Sequence, residues 1–216
     1  MSYDPSDAAW DEFYDRMSEE LYPDHKDQAI AEFTEERLQS FYLRQPNVMR
    51  PAVDAIQEGK RLQKNGHHSA ALVFFVSAIE VLLKATLLKP IVSGLIHNEA
   101  FSEIIVKNTL GQSGFKRYEA LLSKIFHELS GIDLPTVSRE DASIPLLKEC
   151  SNLQDKRNKI VHQGDTCTEN EAELGRCVAV AVFELIVRKV LCEIGLYVGE
   201  HGLINRLNHQ INADGK

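Results

Sequence analysis

Cysteine is scarce in this chain and badly spaced for metal chemistry. The four present, Cys150, Cys167, Cys177 and Cys192, form no CxxC pair and have no histidine ladder beside them. Structural zinc sites need thiolates and imidazoles at short, fixed spacings, so a zinc module is not the organising principle here. Two of the four fall inside apolar helical runs, and reduced core thiols are the expected state, as in a cytoplasmic protein. Long uninterrupted apolar runs are also lacking. The two most apolar stretches, Ala70–Leu83 and Cys177–Cys192, are interrupted by Glu80 and Glu184 and are too short to span a bilayer. The first residues are acidic where a secretory signal would be basic and then apolar. A cytoplasmic location with no membrane partner is expected. Low-complexity tracts are missing too, so disorder does not dominate.

Hairpin signals are equally sparse. Asn65-Gly66 is the one Asn-Gly or Asp-Gly turn between candidate elements, and its flanks read as helix, so strands have little support. Basic charge is not in surplus over the whole chain, whose formal net charge is −8. The deficit is local, however. Residues 1–36 hold twelve acids against Arg16 and Lys26, which leaves 22 bases and 20 acids in the remainder. A body of balance +2 permits phosphate binding without demanding it.

What is present is helical pattern. Residues 7–21 and 25–43 read as charged amphipathic helices split by Tyr22-Pro23-Asp24, and Gln45-Pro46-Asn47 ends the second. Pro51–Lys64 starts with proline in its first turn and stops at Gly66. Ser69–Leu88 is apolar almost all round, the mark of a helix buried on more than one face, and Pro90 is expected to close it. Glu99–Leu110 and Phe115–Leu129 are moderately amphipathic, with the loop Gly111–Gly114 between them. Ser138 and Asp141 resemble a capping-box start for a helix or helix pair running toward His162, with Pro145 permitting a break. Thr168 and Glu171 form a stronger box, opening an apolar helix to about Ile194 that Gly195 stops; a short polar tail helix would follow. The expected fold is all-α: an acidic helical extension at 1–45, a helical bundle at 46–200 and a polar tail at 201–216. At 216 residues, one main core is the expectation.

Within that bundle the stretch QDKRNKIVHQG, Gln154–Gly164, concentrates arginine, asparagine and histidine beside lysines just before a glycine stop. Cations near a helix C-terminus are ordinary, because they complement the exposed carbonyls and the macrodipole. A phosphate-handling site is the alternative. Asn158 and His162 are four apart and share a helix face, whereas Arg157 and His162 are five apart and point about 140° away from each other. Using both on one ligand requires the helix end to unwind, the arginine stem to wrap, or a second copy of the chain to complete the site.

The helix containing AIEVLLKATLL (Ala78–Leu88), the later RNKIVH (Arg157–His162), the glycine shortly after and the capped apolar helix that follows together resemble the HEPN superfamily over about residues 50–195. Ribonuclease members of that superfamily carry an Arg-polar-x3-His signature on an up-and-down helical core. They typically act as dimers, joining two motifs in one cleft and cutting RNA without metal or other cofactor. The resemblance implies Arg157, Asn158 and His162 as catalytic positions, a homodimer, RNA as substrate, and a bacterial toxin or phage-defence setting with an antitoxin or defence-system partner protein. Other members of the superfamily are non-catalytic binding or dimerisation modules for a protein or nucleotide. Gly164 stands where one toxin branch has tyrosine, which argues against that branch.

The residue types suit the chemistry. RNA supplies its own nucleophile, the 2′-hydroxyl, so the protein needs a proton-transfer group near neutrality and a cation on the phosphorane. Histidine serves the first need. Arginine, planar and permanently charged, serves the second, and Asn158 would orient the phosphate. Lys148, Lys156 and Lys159 give this helix a basic character and would guide the RNA backbone, or else form a solvated face. Few aromatics lie among them, so stacking platforms for single strands are not evident. Glu80 interrupts the most apolar helix with Lys84 one turn on. It either pairs with Lys84 or lines the site and orients Arg157 or His162. His67 and His68 read as cap and loop residues. The acidic N-terminal segment either covers an apolar face through Trp10, Phe13, Tyr14 and Phe33 or competes electrostatically with RNA.

Overall fold

The computed structural model describes residues 35–95 and 119–207 continuously, with positions 13, 16, 32, 33, 100, 101 and 104. Most of the expected helix 7–21, the first part of 25–43 (residues 25–31), most of Glu99–Leu110 and the loop Gly111–Gly114 lie outside the described residues, as do Trp10 and Tyr14. The chain divides into two compact units, Met1–Arg37 and Leu38–Lys216. In the first, Phe13 and Phe33 are exposed, and the Arg37 guanidinium stands 5.6 Å from the Phe33 ring centroid.

The second unit is all-α apart from one small hairpin. After helical residues 38–44 come α1 (Arg50–Lys64) and α2 (His68–Val81), which continues through a π-helical segment, Leu82–Leu88, into α3 (Lys89–Leu95). Then follow α4 (Glu119–Ser130), a 3-10 turn at Leu134–Thr136, and α5 (Leu146–Gln163). The last long rod is α6 (Glu169–Val182), a second π segment at Phe183–Val187, and α7 (Arg188–Glu193). Strands β1 (Leu196–Val198) and β2 (Ile204–Arg206) pair antiparallel, with Tyr197 opposite Asn205.

α2 is the centre of the packing, against α1, α6 and α5. Its Ala71, Leu72, Phe75, Val76, Ala78 and Ile79 are all buried, as its nearly unbroken apolar sequence requires. Two glycines on the neighbouring helices let them come close. A Cβ at Gly59 of α1 would lie 2.5 Å from Phe75 Cε1, and one at Gly175 of α6 would lie 2.6 Å from Leu72 Cδ1. The two π segments also pack on one another, so the widened turns of both rods meet in the core.

Pro90 does not close the second rod, which runs on to Leu95. Proline costs a helix its i−4 hydrogen bond, here the one owed to the Thr86 carbonyl. The fully buried Tyr42 hydroxyl replaces it, donating to Thr86 O at 2.7 Å. Burial pushes the phenol far above its ordinary pKa, so it stays a neutral donor. The π register immediately upstream, in which the Lys89 N–H bonds the Lys84 carbonyl five residues back, loosens the turn where the proline ring must fit.

Other boundaries follow local chemistry. Thr168 and Glu171 make a full capping box, the Thr168 N–H donating to Glu171 Oε2 at 2.8 Å and the Glu171 N–H to Thr168 Oγ1 at 3.3 Å. Gly195 ends the rod with φ 67°. The box expected at Ser138 and Asp141 starts no helix: 138–145 is turn and loop, and α5 begins only after Pro145. Arg139 instead reaches forward to Glu149 with two bonds, of 2.9 and 2.6 Å. Up to Leu207, where the described residues end, a hairpin stands in place of the expected tail helix, because Leu196 and Ile204 are buried and Gly202 takes φ 78° at the turn. The Ile204 N–H donates to the Pro46 carbonyl at 3.0 Å, tying the hairpin to the turn before α1. Leu38 and Tyr42 belong to this core, so the second unit starts earlier than residue 46, and the hairpin claims 201–206 from the expected polar tail.

One helix among the described residues, His68–Gly94, is long and apolar enough to cross a membrane by length and composition, being longer than the run Ala70–Leu83 suggests. Its most apolar window is 61% buried inside the protein, the condition of a core helix.

Two substitutions test this packing. Tyr42→Phe removes the Thr86 carbonyl's partner and is expected to cost about 1–3 kcal/mol in urea unfolding. Gly59→Ala drives a methyl into the Phe75 ring and is expected to cost about 1–3 kcal/mol in the same measurement.

Candidate functional site

α5 is one unbroken helix of 18 residues, so Arg157 and His162 keep their helical spacing. Gly164, at φ 69°, terminates it just beyond, and the Gly164 and Asp165 N–H groups close onto the Lys159 carbonyl. Unwinding of the helix end, one way to bring arginine and histidine together, does not occur. The arginine stem does not wrap toward the histidine either, because Arg157 is engaged elsewhere.

Arg157 faces α2. Its Nη2 donates to Glu80 Oε1 at 3.0 Å and its Nη1 to Asn158 Oδ1 at 2.9 Å. Gln154, one turn earlier on α5, donates through Nε2 to the same Glu80 oxygen at 2.8 Å. The Arg157 and Glu80 side chains are 23% and 22% exposed, so the ion pair is partly desolvated yet open on one side. Glu80 thus pairs across to Arg157 on the neighbouring helix. Lys84 lies in the π segment, half-buried.

His162 is on a different face. Lys148, Asn152, Asp155, Lys159 and His162 are all exposed. At about 100° per residue, Lys148 and Lys159 line up within about 20°, with His162 about 40° to the side and Arg157 opposite. The imidazole therefore shares its face with two lysines and Asp155, and not with the guanidinium. Lys156 is withdrawn from that face. Its Nζ bridges Asp165 Oδ2 and Glu171 Oε1, both at 3.1 Å, which binds the loop after α5 to the first turn of α6. Lys156 lowers the Asp165 carboxyl below its usual range, and the Thr168 N–H followed by Lys156 does the same for Glu171. Its charge is shared between two protein carboxylates.

The loop is pinned a second time, where the Cys167 N–H donates to Ser69 Oγ at 2.9 Å. His67 holds the N-cap position of α2 without a side-chain cap bond, so the expected capping role is not performed by its ring. All four thiols are free, but only Cys150 is a core thiol; Cys167 and Cys177 are half-buried and Cys192 is exposed. Burial pushes Cys167 up to about 11, which leaves it a thiol at neutrality. Among the described residues no group of three or more His, Cys, Asp or Glu is placed to hold a metal ion.

Sequence reading missed Gln154, although its spacing of three from Arg157 on a helix was a usable signal. It also missed a polar cluster beside α1, where Glu173 pairs with Arg176 and accepts from Gln63 Nε2 at 2.9 Å. That contact joins residues 110 apart in sequence, which no local pattern reveals. The chain matches no protein-family model, no curated protein and no solved structure.

The Glu173 cluster makes a pH prediction. Arg176, then Gln63, pull its carboxyl from 4.5 to about 2. A depressed carboxylate contributes stability above its unfolded pKa and loses it as pH falls through the folded value. Because Glu173 is 44% exposed, solvent screens the effect. Wild type is expected to be more stable than Glu173→Gln at pH 7, and the gap should close between about pH 4.5 and 2 in urea titrations.

Proposed function

We propose that this chain is a metal-independent endoribonuclease of the HEPN type, cutting RNA by 2′-hydroxyl attack as a homodimer. The observation that carries the reading is the state of Arg157. Two of the five guanidinium N–H groups are held, by Glu80 and Asn158, and the other three have no partner among the described residues. A cation fixed in place with donors to spare suits a phosphate that gains charge in a phosphorane.

Five residues on, the exposed His162 carries the proton-transfer chemistry. It accepts the 2′-hydroxyl proton or delivers one to the leaving 5′-oxygen. Since α5 stays helical and Arg157 is turned toward α2, one chain does not present both groups to one phosphate. Two copies facing each other supply the guanidinium from one and the imidazole from the other. Lys148 and Lys159, on the histidine face, would contact flanking phosphates. A cytoplasmic toxin or phage-defence role with a controlling partner protein accords with this chemistry.

The second reading is a non-catalytic binding or dimerisation module. The Arg157–Glu80 ion pair favours it, because that contact can serve solely to fasten α5 onto α2.

Incubation of the purified protein with mixed RNA in EDTA separates the two. His162 is exposed and leaves the core untouched when truncated, so His162→Ala is expected to lower cleavage about 10²–10⁴-fold with unchanged circular dichroism. Cleavage that persists undiminished in this variant, or a wild-type protein that binds but never cuts, sinks the ribonuclease reading.

A further inference from the structure

We propose that Gln154 is a positioning residue that sets the Arg157 guanidinium by acting through Glu80. This rests on the reading of Arg157 as the phosphate-binding cation, and deepens it. Gln154 and Arg157 are three apart on α5 and therefore project to one side of the helix. Both reach across to α2 and converge on a single atom, Glu80 Oε1, at 2.8 and 3.0 Å. Neither bond is made to the other carboxylate oxygen, so Arg157 holds Glu80 through one nitrogen only. A single-point contact of this kind fixes distance but leaves the carboxylate free to swing about its terminal torsion, which is broad and roughly two-fold. A second donor on the same oxygen removes that freedom.

The residue type matters as much as the position. An amide donor anchors the carboxylate without carrying charge, so Glu80 remains the counter-ion of Arg157 alone. An arginine or lysine at 154 would compete for Glu80 and release Arg157. A carboxylate there would repel Glu80 and draw the guanidinium away. An apolar residue would leave Oε1 with one partner in a half-buried setting. Glutamine meets all of these conditions, and its reach spans the gap between helices, which asparagine is one methylene too short to repeat. The chain of support therefore runs Gln154 to Glu80 to Arg157, with Asn158 steadying the other arm at 2.9 Å.

Two variants and two readouts test it. The Arg157 Nε–H resonance, assigned by its loss in Arg157→Lys, reports the guanidinium in the intact protein; steady-state cleavage of RNA reports function. Gln154→Leu and Gln154→Arg should both move the Arg157 signal toward that of solvent-exposed arginines while the folded dispersion of the spectrum is kept. Both should lower kcat for RNA about fivefold to tenfold, the effect of losing one hydrogen bond, with KM nearly unchanged. Gln154→Glu should shift the resonance as well. An Arg157 resonance indifferent to all three substitutions overturns the inference. A resonance that moves in a wild-type background incapable of cleaving RNA upholds the positioning role and overturns the ribonuclease reading instead.

Discussion

A carboxylate on the most apolar helix of the chain has to be satisfied, and Glu80 is satisfied by α5. Leaving such a group buried without partners would cost several kcal/mol on the usual transfer scales, more than most single contacts return. Its bonds to Gln154 and Arg157 therefore do two things together. They set how α5 lies on α2, and they determine which way the Arg157 guanidinium points. The candidate site and the helix packing are the same interaction seen from two sides. That is also why the ribonuclease and binding-module readings share so much of their structural basis.

The rods themselves are shaped by a second constraint, the accommodation of Pro90. A proline deep in a core helix needs its lost hydrogen bond replaced and room for its ring. The Tyr42 hydroxyl provides the first and the π segment Leu82–Leu88 the second. The matching π segment at Phe183–Val187 faces it, so both rods relax where they touch. Glu80 lies just upstream of this loosened stretch, on regular α-helix.

Much of the helical layout could be read directly. The Thr168–Glu171 box, the glycine stops at Gly66, Gly164 and Gly195, and the all-round apolar character of 69–88 are local signals whose physics is contained within a few residues. The candidate site was legible by type, in Arg157, Asn158 and His162, and their relative angle followed from helical geometry. Failures came where a distant group intervened. Pro90 was misread because its rescue comes from Tyr42, 44 residues before Thr86 in sequence. The Ser138 start was misread because Arg139 is drawn to Glu149 and Pro145 delays the helix. The hairpin went unseen since two three-residue strands carry too little alternation to register, and they are held by burial of Leu196 and Ile204 and by the bond from the Ile204 N–H to the distant Pro46 carbonyl.

By itself, then, the sequence determined the all-α class, most helix limits and the residue types available for phosphate chemistry, since propensity, capping and periodicity act over one or two turns. Only the tertiary structure decided that Glu80 serves Arg157, that Lys156 is spent on Asp165 and Glu171, and that His162 keeps company with Lys148 and Lys159 on the open face. Each of those outcomes depends on which helices become neighbours. That is set by the burial of many apolar side chains at once, a sum over the whole core that no short stretch of sequence contains.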